Sequence, residues 1–199
     1  MIMRMQSMAM LASGSVVIAS ISVLFYTPEA LAKDTDLSRT NLQTNLEKAV
    51  MCDTDAINIF NGSKFVGDSN DPKPQLENLG VRIIDDSTVS GPSKITYRFP
   101  PNTFVFGHEA SEALYYEFST EIFFISLRSS ADRLSGINKR LRLNPIPKGN
   151  PDGYGLFDEI EVRYIRKLSA MGDMPPDTIF SGTGTHQNYI VIGCQNLAW

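Results

Sequence analysis

Among its 199 residues the chain carries only two histidines and two cysteines, so the side chains best suited to metal and nucleophilic chemistry can be taken one by one. His108 lies in the run Gly107-His-Glu-Ala-Ser-Glu112, and His186 follows Gly182-Thr-Gly184-Thr185. Two histidines rule out a three-histidine zinc site, and the HExxH pattern is missing because Glu112 stands where its second histidine belongs. What remains is a set of two histidines and one carboxylate, His108, Glu112 and His186. With one position open to water, that is the arrangement of a metal-assisted hydrolase acting on peptidoglycan or peptides. A lone histidine between strands is more often a surface or capping residue, and the reading favoured here has no resident metal and no cofactor.

Other catalytic templates fare worse. There is no G-x-S-x-G elbow, no S-x-x-K, no P-loop and no G-x-G-x-x-G; Gly182-Thr-Gly184 lacks the third glycine and a preceding βαβ pattern. Carboxylates are plentiful, but nothing in their spacing selects a pair for acid and base work. Asp68-Ser-Asn70-Asp71 offers oxygen ligands without the spacing of a calcium loop, and reads as a turn.

The fate of the thiols depends on compartment, which residues 1–32 address. Arg4 opens a short basic region, a mostly apolar run covers residues 8–26, and Pro28 precedes Ala30-Leu31-Ala32. That is the pattern of a secretory signal peptide cleaved after Ala32. The run approaches the length of a membrane span, but Gly14 and four serines (Ser13, Ser15, Ser20, Ser22) dilute it. Lipid attachment needs a cysteine directly after the cut, and the first is Cys52. The compact, small-residue leader points to a bacterial periplasm, so the expected location is periplasmic or secreted, with the membrane met only through the signal peptide before cleavage. In such an oxidising compartment Cys52 and Cys194 are expected to pair. Closing so long a loop stabilises by roughly 5 kcal/mol in the chain-entropy argument.

Residues 33–199 are then expected to form one globular domain, large enough for its own core. Removing the leader takes one basic and one acidic side chain, Arg4 and Glu29, so the net charge stays at −4. That mild acidity argues against nucleic acid as the partner. Five of the eight methionines leave with the leader, and only Met51, Met171 and Met174 stay.

Patterning divides the remainder into helical and extended parts. Residues 33–60 read as helical, with Leu42, Leu46, Ala49 and Val50 on one face and Asp53 capping a second short helix. A short helix is expected over 75–79. From 81 the period becomes two, and strands are expected at 81–84, 94–99, 103–106, 114–118, 121–128, 157–167 and 188–193. Ser129-x-x-Asp132 resembles a capping box for an inserted helix with Leu134, Ile137 and Leu141 on its apolar stripe. Residues 171–187 read as a glycine-rich loop. The fold expected is α+β: N-terminal helices packed on a twisted, mainly antiparallel β-sheet, with one inserted helix and one disulfide from the first helical region to the last strand.

Two surface features bear on function. Nine aromatics fall between residues 97 and 124, and the adjacent pairs Tyr115-Tyr116 and Phe123-Phe124 must point to opposite faces of a strand. One face is expected to be core and the other to pack under helices. Glu109, Glu112, Glu117 and Glu121 are followed by Arg128, Arg133, Lys139, Arg140, Arg142 and Lys148, opposed only by Asp132. Such charges often just pair or face solvent. Read functionally, they form a basic ridge offered to another protein with an acidic surface. A short exported chain with one disulfide and no catalytic signature is similar in overall design to periplasmic inhibitors and immunity proteins, an analogy of architecture alone. The function expected is therefore a protein-binding protein that inhibits an envelope-acting enzyme or toxin, ahead of the metal-assisted hydrolase and of a structural envelope component.

Overall fold

In the computed structural model, described over residues 38–62, 71–88, 92–117, 120–146, 160–169, 176–184 and 189–196, local chemistry sets the element ends. Helix α1 (Arg39–Val50) starts where the Ser38 side chain accepts from the Asn41 N–H, and α2 (Thr54–Asn58) starts where Asp53 accepts from the Ala56 N–H. Each side chain satisfies one of the amide hydrogens left over at a helix start. The third helix, α3 (Lys73–Asn78), follows Pro72, and the Asp71 carboxylate accepts from the Lys73 N–H. Asp71 thus serves as a turn residue; its companions Asp68 and Asn70 lie outside the described residues.

The strands are β1 (Arg82–Asp85), β2 (Ser93–Arg98), β3 (Phe104–Val105), β4 (His108–Glu117) and β5 (Glu121–Arg128), then β6 (Asn144–Pro145), β7 (Ile160–Lys167), β8 (Thr178–Gly184) and β9 (Tyr189–Asn196). Between β5 and β6 lies α4 (Leu134–Leu141). All strand pairings are antiparallel, in the order β1-β2-β4-β5-β9-β8-β7-β6, with β3 paired to β4. The protein is thus mostly antiparallel sheet with a few helices and one disulfide. Strand β8 corrects the expectation of a loop over 171–187: Ile179 and Phe180 are fully buried while Gly182 and Gly184 end the strand. The expected capping box is also absent. A short 3₁₀ turn over Ala131–Arg133 leads into α4, whose first turn has no side-chain cap.

The sheet carries two separate apolar clusters, one on each face. Tyr97, Tyr115, Phe123, Ile125 and Leu127 point to the first, where they meet Leu42, Leu46, Ala49 and Val50 of α1, Phe60 after α2, and Leu134, Ile137 and Leu141 of α4. Phe60 stacks on Phe123 at 4.9 Å and meets Tyr97 edge-on at 5.3 Å. The second cluster is built from Ile122, Phe124, Ile160, Phe180 and Val191. Among the described residues no helix contributes to it. The aromatics of the second face are therefore packed by other strands rather than under helices.

Glycines make that strand-only packing possible. A Cβ on Gly193 would lie 2.6 Å from both Phe124 Cβ and Phe180 Cζ and would also strike the Phe123 carbonyl; one on Gly182 would strike the Glu161 carbonyl. The missing side chain at Gly193 lets Phe124 and Phe180 come together over β9, and that at Gly182 lets β7 lie close to β8. Gly193→Ala is expected to destabilise by about 3 kcal/mol, because backbone as well as side chains must shift. Gly136→Ala meets nothing within 4 Å and is expected to stabilise α4 by about 1 kcal/mol. Urea melts of the two variants check both signs.

Cys52 and Cys194 are bonded, as expected, across 142 residues, with Cα atoms 5.2 Å apart. The bridge joins the turn after α1, where Cys52 adopts φ +64°, to the buried centre of β9. Replacing either cysteine, or both, by serine is expected to lower stability by about 2–5 kcal/mol. Single and double variants should melt alike, and reductant should bring the wild type down to the same midpoint.

Candidate functional site

A β-bulge separates the two members of the proposed metal set that the structure describes. His108 and Glu112 both lie on β4, with the register slipping between Ala110 and Glu112. Ala110 and Ala113 point into the helix-covered core, so Ser111 and Glu112 between them face the other side, and strand alternation leaves His108 on the side of Ala110. Glu112 reaches across to Arg98 on β2 at 3.8 Å. His108 instead senses Arg133 at the start of α4. The two side chains therefore stand on opposite faces of the sheet, and no group of three potential ligands occurs among the described residues. His186 lies outside them.

Burial, and secondarily the Arg133 guanidinium, hold the His108 imidazole below the ordinary histidine range. The folded chain therefore binds less proton at this site than the unfolded chain, so stability falls as pH drops through about 6.5 and stops falling below the folded value. NMR titration of the His108 ring should give a midpoint below 6.5, and Arg133→Gln should raise it only part of the way, since burial is the larger cause.

The basic segment is divided by its contacts. Arg128, at the end of β5, pairs with Glu109 at 3.4 Å. Arg140 pairs with Glu47 of α1 at 3.5 Å and lies 4.6 Å over the Phe106 ring. Glu47 also accepts the Phe106 N–H at 2.7 Å. Phe106 and Gly107, at φ +50° and +81°, form the two-residue turn between β3 and β4, and positive φ at both positions is what such a turn requires. For a phenylalanine that conformation is strained, and Arg140 and Glu47 are the side chains that hold it. Arg133, Lys139 and Arg142 make no ion pair among the described residues and are exposed. Lys148 lies outside the described residues.

The helix bearing them is firmly seated. Leu134, Ile137 and Leu141 are buried, and the buried Asn138 Oδ1 accepts from the Ser181 hydroxyl of β8 at 2.6 Å. Arg142 closes the helix in the left-handed conformation at φ +56°. Lys139 in the last turn is favoured by the helix dipole alone. Ser135 and Gly136 are also exposed on α4, and their small size lets another surface approach closely.

A second cluster of ionisable groups has a structural task. The Tyr115 hydroxyl lies 2.7 Å from Glu117 Oε2 and 2.9 Å from the buried Glu121 Oε1, and Asn61 Nδ2 donates to Glu117 at 3.3 Å. Burial first, then the hydrogen bond to Glu117, raises the phenol far above its ordinary value, so it remains a neutral donor holding the end of the β4–β5 hairpin. Sequence reasoning missed the hollow on the helix-free face, lined in part by Lys94, Thr96, Arg98 and Ser126. Its available signal was the alternation of the three β2 side chains with Ile95 and Tyr97. Comparison with protein-family models, with curated proteins and with solved structures gives no match, so the chemistry rests on these residues alone.

Proposed function

We propose that this is an exported protein-binding protein which presents the outer side of α4 to an acidic surface on another protein, as an inhibitor or immunity-type protein does against an envelope-acting enzyme or toxin. The observation that carries the reading is the set of exposed cations at the start, last turn and end of α4, Arg133, Lys139 and Arg142, on a helix fixed from beneath by three buried apolar side chains and the Asn138–Ser181 bond. Rigid mounting matters because a preorganised surface loses little freedom on binding. Arg140 belongs at its margin, since it already pairs with Glu47, whereas Arg128, paired with Glu109, falls by strand alternation on the helix-free side. Export is supported by the leader pattern of residues 1–32 and by the disulfide. No helix among the described residues is long and apolar enough to cross a membrane. The α+β layering, with α1, α2 and α4 over one sheet face, leaves the ridge on the outside of the helical layer.

Reversing Arg133, Lys139 and Arg142 to glutamate together should change stability by no more than about 0.5 kcal/mol per site, because exposed charges contribute little. Association with a partner recovered by the wild type should slow by about tenfold or more, and wild-type association should itself slow as salt rises. Paired capture with the two baits from periplasmic extract, followed by on-rates on the same partner, decides it. Equal recovery and equal on-rates would reduce the ridge to a solvated face. Arg140→Glu is expected to act differently and lower the melting temperature, since it places a carboxylate against Glu47.

A further inference from the structure

The helix-free face of the sheet carries a hollow of about 870 Å³ that opens to solvent, within the size range of ligand sites. Its base follows the strand register. One rung across β2, β4, β5 and β9 reads Arg98, Glu112, Ser126 and Val191, and the next reads Thr96, Leu114, Phe124 and Gly193. Asp86 and Lys94 stand at one end, joined through the Asp86 N–H to the Lys94 carbonyl, and Tyr189 stands at the other beside Gly184.

The chemistry of this lining is specific in three respects. It is charge-balanced, the cations Lys94 and Arg98 being matched in number by the carboxylates Asp86 and Glu112, with Arg98 3.8 Å from Glu112, so it offers no net attraction to an anion or a cation. It is rich in hydrogen-bonding groups, the hydroxyls of Thr96, Ser111 and Ser126, of which Ser111 donates to the Ser126 carbonyl at 3.0 Å, besides the four charged side chains. It also carries an aromatic side chain at one end, Tyr189, while the largely buried Phe124 forms part of its base. An acyl chain would leave most of these polar groups without partners, at a cost for each. A polyhydroxylated ring answers all three respects, its hydroxyls meeting the donors and acceptors and its C–H face lying on an aromatic ring. Lys94 and Arg98 are four residues apart on an extended strand, about 13 Å, so a ligand touching both cations spans more than one sugar ring.

We propose that this hollow is a binding site for a neutral oligosaccharide, separate from the α4 ridge and on the opposite face of the sheet. Gly184 makes the site testable without disturbing the fold. Its φ is not in the left-handed region, and a Cβ there would make only ordinary contacts, 3.5 Å to Val191 Cγ2 and 3.9 Å to Tyr189 Cβ. Gly184→Leu should therefore fold and place its side chain in the hollow.

Calorimetric titration of the purified protein with chitotetraose, cellotetraose and maltotetraose should show saturable binding of at least one, with Kd below about 1 mM. Gly184→Leu should weaken that binding by about tenfold or more by steric exclusion, with its melting temperature unchanged. Gly136→Ala, on α4, should bind as the wild type does. Thr96→Val keeps the shape but removes one hydroxyl, and should weaken binding about fivefold; it decides the matter if the leucine variant does not fold. The same titrations with dodecanoate and with tetra-alanine separate the alternatives. The proposal is overturned if no sugar binds, if the blocked variant binds undiminished, or if dodecanoate or the peptide binds and Gly184→Leu abolishes it.

Discussion

The structure depends on β5 being shielded from water on both of its faces. Phe123, Ile125 and Leu127 are fully buried on one side, and Ile122, Phe124 and Ser126 are at most 8% exposed on the other. Each large apolar side chain so buried contributes about 1.5–3 kcal/mol relative to exposure, so neither face can be left open. The first face is covered by α1, the end of α2 and α4. The second is packed by strands alone, and that solution requires β9 to lack a side chain at Gly193, where Phe124 and Phe180 converge. Gly193 is a consequence of burying β5 twice. The one ionisable residue buried at the strand's start, Glu121, is tolerated because the Tyr115 hydroxyl meets it.

This double burial also decides what was legible in the sequence. Strand β5 could be read to the residue because its apolar run is bounded by Glu121 and Arg128, and α1 could be read because Leu42, Leu46, Ala49 and Val50 share a helical face. The Cys52–Cys194 pairing followed from an even count and an oxidising address. Strand β8 was hidden because Gly182 and Gly184 lower its apparent strand propensity, although Gly182 is required there by the approach of β7. The length of β4 was underestimated for a related reason. Its bulge at Ser111 breaks the alternation that marks a strand, so residues 108–113 looked like a turn.

The same bulge explains why a plausible set of metal ligands was not informative. A spacing of four between His108 and Glu112 means one face on a helix, and in a regular strand it also means one face. With an extra residue inserted, it means opposite faces. Nothing in the run Gly107-His-Glu-Ala-Ser-Glu112 distinguishes these cases. The basic ridge was legible as composition but not as a surface, because Arg140 is tied to Glu47, 93 residues away in sequence, and to the Phe106 ring, whose N–H Glu47 also accepts.

Those contacts also explain how a helix with no side-chain cap keeps its place. At its start α4 has only the 3₁₀ turn, and its interior contains Gly136, so intrinsic propensity does little for it. Its position is set by tertiary contacts at three points: the apolar stripe beneath, the Asn138–Ser181 bond to β8, and Arg140 reaching α1 and the β3–β4 turn. The last of these couples the helix to a strained phenylalanine turn, so that loosening α4 also releases Phe106, and relaxing that turn removes the ring on which Arg140 rests. The outward cations at Arg133, Lys139 and Arg142 take no part in this circuit. Folding asks less of them than of Arg140: Arg133 bears on His108, Lys139 on the helix dipole and Arg142 on the left-handed cap. None pairs with a carboxylate among the described residues, which is the condition under which charge can be set by what the surface has to meet.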